Sequence, residues 1–430
     1  MALSDVTIDK VSGLNRQADS TDRISCLLCG GVAIEETGPI NTLMGPFYAP
    51  EDAEALGFTA DYDTDNNVLI HHHISEYFRG YGESITNRAA KPLYLYMVSR
   101  STPLSIMCDK DEDYGMYNAA KLSNQTIKRF LVVLNPDEAY TADTATNGFD
   151  ADVLDALRKA QECATLLHDE HGPVHVYLEC RDFDATIGSE AIDTLTEDAE
   201  NVTLIIAQDI DVSESHALHN GYAAVGTYAG MVTSKPTLAD SPAEVGLNFQ
   251  GNVQDKAAGK FLRYGFGNQE LVNYSQTTQG VFKDKGYVAV RTFGGNTPGV
   301  YFTQSMTSAA ATSDYTRSEL NEIYNKAYRA IYDKYVPVIN TKIRVTDAGY
   351  IPGNVAKTLE ERGDGIFRTM ANNEEISVGK TYIDPLQKTD AGVPTSLVLT
   401  RNLKVKWKMV PFGKIEAISG ELGFTVSIEQ

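Results

Sequence analysis

Three groups of side chains in this sequence have the types and spacing that chemistry needs: His71-His72-His73, Cys26-x-x-Cys29, and the aspartate series Asp61-x-Asp63-x-Asp65 and Asp109-x-Asp111-x-Asp113. The histidines invite a zinc ion. Successive residues of a helix, however, point about 100° apart, so three in a row do not converge on one ion. No Cys, Asp or Glu stands at a spacing that completes the site. The Cys pair could be half of a zinc or redox motif, but no second Cys-x-x-Cys follows and the pair sits in an apolar run, where cysteine serves as a small core residue. The aspartate series resemble the opening of a calcium loop, which requires Gly at its sixth position and Glu at its twelfth. Those positions hold Asn66 and His72 in one case and Tyr114 and Ala120 in the other, so both series read as solvated acidic turns.

Neither a phosphate-cradling G-x-x-x-x-G-K-[ST] loop nor a G-x-S-x-G nucleophile elbow occurs. Gly294-Gly295 and Gly363-x-Gly365 read as turn glycines. The residues therefore predict no catalytic, cofactor or metal site and point to a chain that is not an enzyme.

Charge narrows the partners. The 430 residues carry a net charge of -21, which disfavours nucleic acid and anionic membrane surfaces. From Ala311 to Gln430 there are 16 Lys/Arg against 15 Asp/Glu, whereas the preceding 310 residues hold 21 against 43. This split implies two regions in different surroundings. The five scattered cysteines, Cys26, Cys29, Cys108, Cys163 and Cys180, do not form a secreted disulfide framework. The N-terminus lacks a signal-peptide layout, and no apolar run approaches the roughly 20 residues of a membrane helix. The chain reads as soluble and made in a reducing compartment.

The elements that would position these residues follow from periodicity. Strands are expected at 24–32, 93–98, 130–134, 174–178 and 202–207. Helices are expected at 68–78, at 152–167 and over the Ala- and Gly-rich stretch 217–232. Such alternation predicts a layered α/β domain with a largely parallel sheet. A second part is α+β. Its clearest helix spans 316–335, opened by Thr316-x-x-Glu319, with Leu320, Ile323, Ala327 and Ile331 on one face and Tyr324, Tyr328 and Tyr332 beside them. A second helix at 355–370 is interrupted by Gly363 and Gly365. Strands follow at 396–399, 403–410 and 422–428. In 403–410, Val405, Trp407 and Met409 share one face, and Lys404, Lys406 and Lys408 the other; Trp407 is expected to anchor its face in the core. Two alternating segments stand apart from any hairpin: Val6-Thr7-Ile8 near the start, and Phe424, Val426 and Ile428 near the end. Lone strands of this kind must pair elsewhere.

Several stretches in order resemble the contractile phage tail sheath family. They are DVTIDKVSG followed by DRISCLLCGG, then VHVYLE, VTLIIAQD, AAVGTYAGMVTSKP, GYVAVRTFGGNTPGVYFTQSMTSAAATSDYT, and the closing ELGFTVSI. The resemblance spans nearly the whole chain and is to the short type, similar to sheaths of R-type bacteriocins and contractile injection systems. It implies a structural subunit of a tail particle, assembled in the host cytoplasm. That subunit would form stacked, hexameric rings around an inner tail tube and meet baseplate and tail terminator proteins. Contraction would be a metastable-to-stable rearrangement without nucleotide hydrolysis. It further implies an N-terminal strand arm (1–20), an outer α/β domain (21–305), a tube-facing α+β domain (306–419) and a C-terminal strand arm (420–430). Val6, Thr7, Ile8, Phe424, Val426 and Ile428 would then be shared between subunits, and Val405, Lys406, Trp407 and Lys408 would form the platform of the shared mesh. Arg317, Lys326, Arg329, Lys334, Arg362 and Arg368 would be candidate tube contacts. Another multimeric tail or surface-layer protein, or an α/β enzyme, are the alternative readings.

Overall fold

The computed structural model describes residues 21–79, 91–144, 148–235, 237–243, 263–293, 299–415 and 418. The chain divides into two compact units, Met1–Arg329 and Ala330–Gln430. The division falls inside a helix, whereas the sequence reading drew a domain boundary at 305/306. Val6, Thr7, Ile8, Phe424, Val426 and Ile428 lie outside the described residues.

The first unit is built on a seven-stranded sheet. Its strands are β1 (Ser25–Gly31), β2 (Leu43–Phe47), β3 (Leu93–Ser99), β4 (Arg129–Val133), β5 (His175–Glu179), β6 (Val202–Ile205) and β7 (Tyr287–Val288), in the order β7-β6-β5-β4-β1-β3-β2. Every pair is parallel except β2 with β3. The apolar runs that flagged β1, β4, β5 and β6 are explained by this geometry, because each of these strands is buried along its whole length and a parallel sheet is covered on both faces. The cover includes α1 (Ile70–Arg79), α2 (Ala151–Asp169) and α3 (Val225–Ser234). The helices α1 and α3 pack on each other, and α2 packs on β5 and β6.

The helix expected over 217–232 begins only at Val225, and its glycines face another helix. A Cβ on Gly226 would fall 2.5 Å from the His73 carbonyl oxygen, and one on Gly230 would fall 2.4 Å from that of Tyr77. The small residues thus let two helix backbones touch, rather than a helix and a sheet.

The helix α4 (Ser318–Tyr335) starts two residues after Thr316. Its buried side carries polar residues beside two of the expected apolar ones: Asn321, Glu322 and Asn325 are buried with Ile323 and Ala327, whereas Leu320 is only half-buried. Glu322 receives both arms of the Arg129 guanidinium and the Tyr177 hydroxyl at 2.9 Å. Asn321 meets His175 Nδ1 at 3.1 Å, and Asn325 donates to the Val174 carbonyl at 3.4 Å. Burial would raise the Glu322 carboxyl, but the Arg129 charge and hydrogen bonds outweigh it and hold the group below its ordinary range.

The second unit contains α5 (Gly353–Asn372), the antiparallel pair β8 (Val378–Tyr382) and β9 (Lys406–Val410), and between those strands the short helix α6 (Leu397–Thr400). Two expectations are corrected here. The strand expected at 396–399 is replaced by the helix Leu397–Thr400, with Ser396 as its N-cap. Gly363 and Gly365 do not interrupt α5; a Cβ on Gly363 would lie 2.2 Å from Thr381 Oγ1 and 3.2 Å from Trp407 Nε1, so that glycine lets the helix lie directly on the β8–β9 pair.

Candidate functional site

Each group with chemical potential is absorbed by the fold. Cys26 and Cys29, three residues apart on β1, point to opposite faces of the sheet and are both buried, which pushes both thiols up. The aspartate of the first series that is buried, Asp63, accepts the backbone N–H groups of His71 at 3.0 Å and His72 at 2.9 Å. Of the histidines, His71 meets Glu54 at 2.9 Å, and burial lowers His72 and His73. In the second series Asp109 pairs with Lys159 at 2.7 Å. Among the described residues, no group of three or more His, Cys, Asp or Glu is placed to hold a metal ion.

The topology also defines where a ligand would enter an open α/β sheet. The chain reverses direction across β1, with β3 on one side and β4 on the other, and ligands bind beyond the carboxyl ends of the strands at such a switch point. Here Asn135 fills that crevice: its Nδ2 donates to the Gly30 carbonyl at 2.9 Å and its Oδ1 accepts the Leu69 N–H at 3.0 Å. The N-terminus of α1, where an anion would sit, already holds the Asp63 carboxylate.

The surface with unmet physical demands is in the second unit. Of 17 exposed large apolar side chains among the described residues, 13 lie beyond residue 330, in less than a quarter of the chain. Its buried apolar residues include the cluster Ile351, Ala356, Leu359 and Ile383, together with Phe367, Met370 and Ile376. Clustered apolar exposure of this kind marks an interaction surface. It includes an open groove of about 610 Å³ lined by Val338, Ile339, Ile343, Leu397, Leu403 and Trp407.

The β8–β9 pair sits beside it, with register Val378↔Val410, Lys380↔Lys408, Thr381↔Trp407 and Tyr382↔Lys406. One face packs on α5 through Gly379, Thr381 and Met409. The other presents Val378, Tyr382, Val410 and three lysines, all exposed. Lys380 stands opposite Lys408, an unfavourable juxtaposition that the ion pair of Lys380 with Asp364 eases. The lysine face matches the alternation read from the sequence. Trp407 does not match the expected burial: it meets Tyr335 edge-on at 5.3 Å between ring centres yet remains 38% exposed, because the groove leaves one side of it uncovered. Among the described residues, β8 and β9 have no other strand partner, and a two-stranded sheet alone is marginal in water.

The six cations divide by environment. Lys334, Arg362 and Arg368 are exposed, with Arg368 2.9 Å from Glu361. Lys326 and Arg329 bind Asp22 within the first unit at 2.7 and 3.4 Å, and Arg317 rests on Met306. Tyr324 and Tyr328 lie against His168 and His171, with Tyr328 Oη 2.8 Å from His171 Nδ1, while Tyr332 is exposed. The sequence reading missed the Arg129–Glu322–His175–Asn321 cluster. Its one signal was an arginine heading an otherwise apolar strand.

No family model matches the sequence, and no curated protein does. Solved structures do match in fold. A chain of the anti-feeding prophage (AFP) baseplate, 6-fold symmetrised, superposes with a TM-score of 0.58 at 12% identity, over 100% of both chains. A chain of the AFP helical sheath in contracted state gives 0.58 at 13%, over 99% of this chain and 100% of that one. A chain of the sheath complex of PVC, an extracellular contractile injection system, in contracted state gives 0.53 at 10%, over 100% and 98%. The fold is that of proteins solved within contractile sheaths, as the resemblance in the sequence implies.

Proposed function

We propose that this chain is the structural subunit of a contractile sheath, polymerising as stacked hexameric rings around an inner tube and joining a baseplate and a terminator at its ends. The observation that carries this reading is the second unit's uncovered apolar surface beside a two-stranded sheet without further partners among the described residues. The full-length likeness to sheath chains supports it. In this reading, the strands at Val6-Thr7-Ile8 and at Phe424, Val426 and Ile428 of neighbouring copies extend β8–β9 into a shared sheet, since backbone edges recruit strands. Val405, Lys406, Trp407 and Lys408 form its central platform. Lys334, Arg362 and Arg368, the exposed members of the cation set, face the tube. Contraction draws on the difference between two packings of the same subunits and needs no nucleotide. The particle is a phage tail or a related injection device.

Negative-stain electron microscopy of the purified chain tests the reading. Long hollow tubes are expected, and a monodisperse particle at all concentrations and salt conditions would overturn it. Deletion of residues 1–12 is expected to leave a folded protein that no longer forms tubes; tubes of unchanged length would remove the strand-sharing role of the N-terminal arm.

A further inference from the structure

At the carboxyl end of β5, one phenol joins two carboxyl groups. The Tyr140 hydroxyl contacts Asp150 Oδ2 and lies 2.6 Å from Asp182 Oδ2. A tyrosine hydroxyl carries a single hydrogen. It can fill one of these contacts, and the other needs a hydrogen from the carboxyl group itself. Two ionised carboxylates on one phenol would leave a pair of oxygens at hydrogen-bond distance with nothing between them. We infer that the Asp150–Tyr140–Asp182 chain binds one proton in the folded protein, carried by Asp182, and that this proton fastens the 137–144 segment and the start of α2 to the end of β5.

The surroundings decide which carboxyl holds the proton. Asp150 is the N-cap of the 19-residue α2, and its Oδ1 accepts the Asp152 N–H at 3.2 Å. A helix N-terminus favours the anion there. Asp150 is therefore the carboxylate that accepts the tyrosine hydrogen, and Asp182 donates its own proton to the Tyr140 oxygen. Burial raises the Asp182 carboxyl, and Arg181, with Nε at 3.4 Å, opposes this. That guanidinium is shared, lying also 3.5 Å from the fully buried Glu179, which burial pushes up to about 7. Its other arm donates to the Leu218 carbonyl, and the group lies 5.8 Å from the Tyr140 ring centre. The Cys180 thiol, pushed up by burial, adds no charge. One guanidinium thus serves two carboxyl groups, Glu179 and Asp182. Gly221 packs directly against Asp182: its carbonyl accepts the Asp182 N–H at 2.9 Å, and a Cβ there would lie 2.0 Å from Asp182 Oδ1.

When the pH rises past the folded pKa, the Asp182 O–H bond breaks, the proton passes to water, and the Tyr140–Asp182 contact opens. The sign follows from linkage. The folded state keeps a proton that an unfolded aspartate, with a pKa of about 3.9, has released. The stability due to this proton is present below about pH 4 and is lost as pH rises through the folded pKa.

The test compares full-length wild type, Asp182→Asn and Tyr140→Phe by urea unfolding between pH 4 and 8 and by infrared difference spectroscopy. The amide that Asp182→Asn introduces donates to Tyr140 at every pH. The unfolding constant of wild type relative to Asp182→Asn should therefore rise up to about tenfold per pH unit, as one linked proton requires, until the folded pKa is passed. The infrared band of a protonated carboxyl in wild type at the acid end of this range should be missing from Asp182→Asn and displaced in Tyr140→Phe, which removes its acceptor. A constant ratio across the range would overturn the inference. If Asp182→Asn does not fold, the spectra of wild type and Tyr140→Phe decide: a carboxyl band unmoved by Tyr140→Phe overturns it.

Discussion

Glu322→Gln probes how α4 is held to the sheet. Arg129 is 1% exposed and gives two of its nitrogens to the Glu322 carboxylate and a third to Thr233 Oγ1 at 2.9 Å. An amide cannot accept at both ends, so the substitution leaves a buried guanidinium without its counter-charge, and Tyr177 loses a charged acceptor. Removing one partner of a buried ion pair costs about 3–5 kcal/mol, a large share of the roughly 5–15 kcal/mol that holds a domain folded. Removing both charges with apolar side chains of similar volume should cost far less. The double variant Arg129→Met/Glu322→Leu is thus expected to recover most of the loss. Urea unfolding followed by far-UV circular dichroism measures both, and emission from Trp407, the single tryptophan, separates losses in the second unit. Because the folded Glu322 carboxyl is held low, its contribution is present above about pH 4.3 and fades as pH falls through the folded pKa. A loss below about 1 kcal/mol for Glu322→Gln, or a double variant weaker than the single, would refute the reasoning.

Gly230→Leu should lower stability by about 1–3 kcal/mol through forced separation of α1 and α3, whereas Gly280→Ala, with nothing within 4 Å of the new Cβ, should be neutral or slightly stabilising; melting temperatures compare them. Burial pushes His175 down to about 4, so its neutral form contributes stability above about pH 6.5 that is lost as pH falls toward 4. His175→Gln should flatten that part of the pH–stability curve. Trp407→Ala should cost about 2 kcal/mol in the second unit, less than a fully buried tryptophan would, and shorten or abolish tubes in electron micrographs. Lys406→Glu should leave the monomer fold intact while making polymerisation depend on salt, and tubes insensitive to ionic strength would exclude an electrostatic role for the lysine face.

The strands β1, β4, β5 and β6 were legible in the sequence because a strand buried on both faces must be a short continuous apolar run. The alternation of β9 was legible because charge and apolarity separate with period two. The order of sheath-like segments anticipated a fold that local periodicity alone does not specify. The tertiary structure decided what periodicity cannot express. Nothing local to α4 shows that Asn321, Glu322 and Asn325 are buried beside Ile323 and Ala327, because the partners Arg129 and His175 come from some 150 to 190 residues away. Gly363 and Gly365 of α5 look like helix breakers, and nothing local to α3 shows that Gly226 and Gly230 meet the backbone of another helix. Trp407 looks like a core anchor until the second unit places it on the wall of an open groove. Residue type limits the partners a side chain can accept, but only the closed chain determines which distant group arrives, and burial of a polar or charged side chain is settled by that arrival.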